Sequence, residues 1–216
     1  ARLKAHPASQ LLSTGPRDLP ERQRTYQKAL EWSYNLLNAE DQALFRSLGV
    51  FAGRITPEAV EAVCYPLCKH SGDAFEALAS LAEKSLLRPL ETTSGEVSFS
   101  MLFVLRQFAL GLLEQTGELP AYRLAHATFY LDLAEQAKSA LSSNHQARWF
   151  AILEQENDNL RAALNWSIMN QETETAFRLL GALWAYWFER GHLREGGSWA
   201  EQILPLAERH PVSTEL

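Results

Sequence analysis

Cys64, Cys68 and His70 form the closest group of metal-binding residue types in the chain. Three ligands fall one short of a structural zinc site, and Pro66 interrupts the helix that would bring them to one face. The spacing predicts packed thiols and no metal. His126 lies four residues from both Tyr122 and Tyr130. Helical spacing stacks the three on one face, which predicts a packed, hydrogen-bonded imidazole and not a catalytic one. Glu154 and Glu156, two positions apart, diverge around a helix and are expected on a solvated face or as a turn cap. Gly-x-x-x-x-Gly-Lys-Ser/Thr, Gly-x-Gly-x-x-Gly, Gly-x-Ser-x-Gly and His-Glu-x-x-His are all absent from the sequence. The chain is therefore expected to carry no catalytic site and no cofactor of its own.

The remaining chemistry is charge. The 216 residues carry a net charge of −6, with 46% apolar and 21% charged residues. This composition suits a globular core and counts against unaided binding to polyphosphates or anionic membranes. Residues 17–117 hold ten basic and thirteen acidic residues. The segment Asp73–Lys84, where a winged helix would place its groove-reading helix, offers Lys84 against Asp73, Glu76 and Glu83. A duplex would meet like charge there, so direct DNA binding by this fragment is not expected. Basic residues gather instead at Arg17, Arg22, Arg24 and Lys28.

These residues need elements to hold them. Ala1–Gln10 is too polar for a signal sequence, no apolar run is long enough to span a bilayer, and only two cysteines occur. A cytoplasmic location is expected, with no membrane partner. The chain opens on Ala, as a piece of a longer protein would. Residues 1–20 are broken by Pro7, Gly15, Pro16 and Pro20 and read as the tail of a preceding region. Apolar positions Tyr26, Leu30, Tyr34 and Leu37 predict a first helix after Pro20. Asn38 is expected to cap a second helix that stops near Gly49. Thr56-Pro57-Glu58 starts a third, and Asp73 caps a fourth. Leu86, Leu87 and Leu90, the turn Thr92–Gly95, and the alternation of Val97, Phe99 and Met101 predict a β-hairpin. A strong helix from about Leu102 is closed by Gly117. The whole of 21–117 reads as a winged-helix-like domain.

From 118 to 216 the pattern is helical throughout. Leu119–Leu141 reads as one long amphipathic helix. A faint period of about 34 residues follows, the tetratricopeptide length. Leu180, Trp184, Trp187, Gly191, Gly196, Ala200 and Ile203 mark one unit: large residues on the first helix, glycine at the turn, small residues where the second helix packs. Gln146, Phe150, Leu153, Asn157, Ala162, Trp166 and Met169 mark the unit before it, with a break expected near residue 158 at Asn157-Asp158-Asn159. The fold class is mainly α, a winged-helix-like domain with one β-hairpin followed by tetratricopeptide-like repeats that begin a longer array. Trp184, Trp187 and Trp199 are read as core between repeats or as a partner-binding face.

Several ordered blocks carry a resemblance. Arg17–Thr25, Glu31–Leu37, Ala43–Gly53, Leu81–Leu87, Met101–Ala109, Glu156–Trp166 and Trp187–Glu195 are similar to segments of bacterial signal-transduction ATPases with numerous domains, the STAND class. Many of those are LuxR- or SARP/AfsR-type transcriptional regulators. The resemblance implies a regulatory fragment that couples an upstream ATPase domain of its own chain, binding ATP or ADP, to downstream repeats that sense a protein or small-molecule inducer. Relatives carry Met-His-Asp after the hairpin, whose His contacts the nucleotide phosphate. Met101, Leu102 and Phe103 occupy those positions here, so the His is missing. Arg22, Arg24 or Arg106 could supply charge to a nucleotide-domain contact instead. The alternatives are a DNA-binding winged-helix domain of a transcription factor and a regulatory segment of a cyclase or kinase.

Overall fold

The computed structural model describes residues 21–68, 72–90, 97–140 and 146–209, with side chains from 28 to 206 within those ranges. The winged-helix half contains α1 (Glu21–Asn35), α2 (Ala39–Ser47), a 3-10 turn (Leu48–Val50), β1 (Arg54–Ile55), α3 (Pro57–Val63), α4 (Tyr65–Cys68), α5 (Ala74–Glu83), β2 (Arg88–Leu90), β3 (Ser98–Ser100) and α6 (Phe103–Thr116). Each start that the caps predicted is present. Asn38 Oδ1 accepts from the Asp41 amide at 2.8 Å, Thr56 Oγ1 from Ala59 at 3.2 Å, and Asp73 Oδ1 from Glu76 at 2.9 Å. Each bond satisfies one orphan donor of a first turn.

The helices close on one core that includes Leu44, Phe45, Leu48, Val60, Leu78, Leu81, Phe99, Ala109 and Leu113, all buried. Gly49 lets the 3-10 turn press on α6: a Cβ there would lie 3.0 Å from Ala109 Cβ and from the Leu110 backbone nitrogen. At the end of α5, Ser85 takes φ 61° while Leu86 N–H bonds to the Leu81 carbonyl and Ser85 N–H to that of Ala82. This Schellman closure turns the chain into β2.

The sheet is antiparallel in the order β1-β3-β2, with Ile55 opposite Phe99 and Pro89 opposite Phe99. The short strand β1 was not foreseen. It makes β3 the central strand, and Ser98, which the alternation assigned outward, is buried. β2 is the exposed edge, where Pro89 is tolerated. The turn expected at Thr92–Gly95 lies outside the described residues.

Five helices follow: α7 (Leu119–Ala140), α8 (Gln146–Gln155), α9 (Asn157–Met169), α10 (Thr173–Glu189) and α11 (Leu193–Arg209). α7 is the spine, packing on α9 and α10 and also on α3 and the 3-10 turn. Gly117 (φ 72°) and Gly191 (φ 74°) take the left-handed positions that end α6 and α10. The helix break falls at Glu156, two residues before the expected position, and Asn157–Asn159 form the first turn of α9. The architecture is a winged helix followed by helical hairpins.

Candidate nucleic-acid interface

α3, α4 and α5 form the helical part that a winged helix offers to a duplex. α5 buries Ala74, Leu78 and Leu81 and exposes Phe75, Glu76 and Glu83. Lys84 Nζ bonds to Asp41 Oδ2 at 2.7 Å and to Ser80 Oγ at 2.9 Å. Arg88 on β2 is exposed beside this face. Phe75 packs against Phe99 with the rings tilted by 52° and their centres 6.2 Å apart, which holds the start of α5 against the central strand.

Behind this face a polar junction ties the winged helix to the repeats. Asn159, fully buried, accepts through Oδ1 from the amides of Ala52 (2.8 Å) and Gly53 (3.2 Å). Its Nδ2 donates to the Arg54 carbonyl (2.8 Å) and to Glu156 Oε2 (2.8 Å). Tyr130 Oη–H donates to the same Glu156 oxygen at 2.9 Å, and Arg54 Nη1 donates to Gln155 Oε1. The loop between the 3-10 turn and β1 is thus held by the α8–α9 corner. Of the two positions expected for Glu156, a solvated face or a turn cap, it takes the turn, at the N-cap position of α9 without a side-chain cap bond, and it is buried; burial is the main cause that raises its pKa above the ordinary carboxylate value. Sequence reasoning missed this junction. Its signal was present in the Glu156–Asn159 block, but the residues read as turn chemistry.

Residues 37–114 match the winged helix-turn-helix domain family. Three mycobacterial proteins named as HTH-type transcriptional regulators, from Mycobacterium tuberculosis (two strains) and Mycobacterium bovis, are each 35% identical to the chain over 203 residues. The match covers 94% of this chain and 23% of each relative, so the chain spans about a quarter of the proteins it resembles. No solved structure matches it. The winged helix is therefore of the helix-turn-helix type.

This match corrects the expectation that the fragment does not contact DNA: a winged helix-turn-helix and relatives named as HTH-type regulators point to DNA binding. The sequence argument took formal charge as its criterion, and the folded surface keeps that charge: Glu76 and Glu83 are exposed and Lys84 is paired with Asp41. Charge balance sets affinity and its salt dependence; it does not decide which fold is present.

The other candidate residues are placed as follows. Arg22 and Arg24 lie in α1, with side chains outside the described residues. Arg106 turns inward, its Nε donating to the Phe51 carbonyl at 2.6 Å. Burial, with Arg123 nearby, lowers its pKa to about 10. Trp187 is enclosed, whereas Trp184 is half exposed and Trp199 partly buried against the core. A surface at this point presents Trp184 and Phe188, and Trp187 belongs to the core. His126 is buried between Phe51 and Tyr130 (ring centres 5.4 and 4.6 Å), and its Nε2 has no hydrogen-bond partner. Burial holds its pKa down at about 3. Cys64 is buried, its thiol pushed up to about 12. Among the described residues no group of His, Cys, Asp and Glu could hold a metal, and no helix is long and apolar enough to cross a membrane. His70 lies outside them.

Proposed function

We propose that this chain is the DNA-contacting part of a transcriptional regulator, a winged helix-turn-helix mounted on helical repeats and working in the cytoplasm. The observation that carries this reading is the match of residues 37–114 to the winged helix-turn-helix family, within which α5 lies beside an edge strand that exposes Arg88. Cationic contacts to phosphate come from the edge strand, and α5 reads bases through polar and apolar contacts. The test is a titration of a short labelled duplex by fluorescence anisotropy at several salt concentrations. Binding whose log K falls with log salt, by about 0.9 per phosphate neutralised, supports the reading. Absence of binding at low salt overturns it.

A second, finer reading adds regulation. The winged helix relays between an upstream ATP- or ADP-binding domain of the same protein and the repeats, as in STAND-class regulators. The buried Asn159 junction favours it, because a loop held by three hydrogen bonds to one side chain of α9 makes the winged helix follow any movement of that helix. Its test is nucleotide affinity of the full-length protein with Asn159→Ala. An affinity equal to that of the wild type would remove this reading.

A further inference from the structure

The hairpin of α10 and α11 leaves apolar side chains open to solvent. Phe177, Gly181, Trp184 and Phe188 recur at helical spacing along α10, within about 60° of arc. Trp184 is 46% exposed and Phe188 62%. Leu193, Gly197, Ala200 and Leu204 recur at the same spacing along α11, with Leu193 48% and Leu204 56% exposed. A Cβ on Gly196 would meet the rings of Trp187 and Trp184, so these residues mark where the two helices touch. Each stripe lies about 60–70° round from that contact, and because the helices run antiparallel both turn to the same side. The two stripes form one face.

That face has a symmetry of its own. The four positions on α10 are centred between Ala182 and Leu183, and those on α11 between Ser198 and Trp199. Residue 196 is level with 184–187, which puts the two centres at the same height. A single two-fold axis across the hairpin therefore passes through both stripes. A second copy laid antiparallel about it sets Trp184 on the partner's Gly181 and Phe177 on the partner's Phe188. On α11 it sets Leu193 on the partner's Leu204 and Gly197 on the partner's Ala200, where small residues let the helices approach. A Cβ on Gly181 meets nothing within 4 Å, so the indole has an open seat. Charge agrees with this register. Arg194 and Glu201 are exposed on the outer flank of α11, and neither has an ion-pair partner among the described residues. In the apposed pair Arg194 faces the partner's Glu201, offset by about 3 Å along the helix, and the symmetry makes two such pairs.

We propose that this face joins two copies of the chain as an antiparallel, isologous dimer. A second copy is favoured over an unrelated partner because one axis satisfies both apolar stripes and both charge pairs together. At roughly 150–250 Å² for a whole aromatic side chain, three partly exposed rings and two leucines offer on the order of 500 Å² per copy. A standard interface buries about 800 Å² per partner, so the dimer is weak and concentration-dependent. Two copies carry two winged helices across a two-fold axis, which suits a duplex with two half-sites. That consequence rests on the function proposed above; the pairing does not.

Sedimentation equilibrium of this chain without DNA, at low salt and from about 1 to 300 µM, tests the pairing. A monomer–dimer equilibrium with a Kd of about 10–100 µM is expected. Gly181→Arg fills the seat of the indole with a charge and is expected to raise Kd at least about tenfold. Arg194→Glu sets like charges across the axis and is expected to raise Kd about fivefold or more. Adding Glu201→Arg to it restores Kd to within about twofold, because each pair is remade with its charges exchanged. Positions 181, 194 and 201 are exposed, so these changes leave folding intact, which circular dichroism checks. A chain that stays monomeric throughout overturns the proposal and leaves this face to a further hairpin of a longer protein. A dimer that survives Gly181→Arg, or a double variant that does not recover, overturns it as well. Because duplex is absent, a negative result here leaves the DNA titration standing, and the converse holds.

Discussion

The Asn159 carboxamide oxygen accepts the Ala52 amide proton at 2.8 Å, across 107 positions of the chain. The same side chain uses its nitrogen on the Arg54 carbonyl and on Glu156, so both ends of the amide are satisfied in a fully buried place. Aspartate cannot donate here and leucine can neither donate nor accept; asparagine alone of the three matches two amides on one side and two oxygens on the other.

Removing it leaves buried partners on both elements. Asn159→Ala is expected to lower stability by about 2–4 kcal/mol, because the amides of Ala52 and Gly53 and the carbonyl of Arg54 lose their partner at once. Urea unfolding measures the loss. Hydrogen exchange localises it: the Ala52 and Gly53 amides are expected to exchange faster, while amides inside α10 keep their protection relative to global stability.

His126 makes stability depend on acid. Its folded pKa of about 3 lies below the unfolded value, with burial as the first cause and Arg123 and Arg106 adding to it. The unfolded chain therefore binds the extra proton between those values. The contribution of His126 is intact above the unfolded histidine pKa and is lost progressively as pH falls towards 3. The expected loss at about pH 4.5 is about 2–3 kcal/mol relative to pH 7. The buried Glu156 acts with the opposite sign, since its raised pKa favours the fold as the carboxyl protonates. Comparing the wild type with His126→Phe across pH cancels the Glu156 contribution. The difference between the two unfolding curves should change with pH, and a constant difference would refute the assignment.

The sequence made local features legible and left most long-range ones hidden. Asn38, Thr56, Asp73 and Gly117 act on neighbours within a few residues, so their caps could be read directly. Gly191 and Gly196 took their expected places because a left-handed turn and a close helix contact each demand a small residue. β1 has only two residues and exists because β3 offers it an open edge; no window along the chain contains that information. Glu156 and Asn159 looked like polar turn formers because burial of a polar residue depends on the partner that arrives from residues 52–54. The expectation against DNA contact rested on formal charge, which does not decide which fold is present.

Two adjacent glycines in α11 separate packing from propensity. A Cβ on Gly196 would lie 2.9 Å from Trp187 Cε3, inside a ring that is itself enclosed, whereas a Cβ on Gly197 meets nothing within 4 Å. Gly196→Ala is expected to destabilise by about 1–3 kcal/mol through overpacking, despite better helix propensity. Gly197→Ala is expected to stabilise by about 0.5–1 kcal/mol, because alanine lowers the entropy lost on ordering the helix. Thermal unfolding of the two variants should therefore shift in opposite directions. Equal shifts would mean that α11 does not pack on Trp187 this closely.

The outer side of α5 tests the proposed docking of a duplex. Glu76 and Glu83 are exposed there, and Arg88 is the exposed cation on the neighbouring edge strand. If the duplex docks on this face, both carboxylates repel phosphate and Arg88 attracts it. Glu76→Lys and Glu83→Lys are each expected to tighten binding about threefold to tenfold at low salt and to steepen the salt dependence by about one phosphate. Arg88→Ala is expected to weaken binding by a similar factor and to flatten that dependence. The three variants change exposed side chains, so folding should change little. The joint pattern is what matters. Tightening by the two lysines without loss at Arg88 would place the duplex on α5 alone, and no change in any of the three would move the docking surface away from this face.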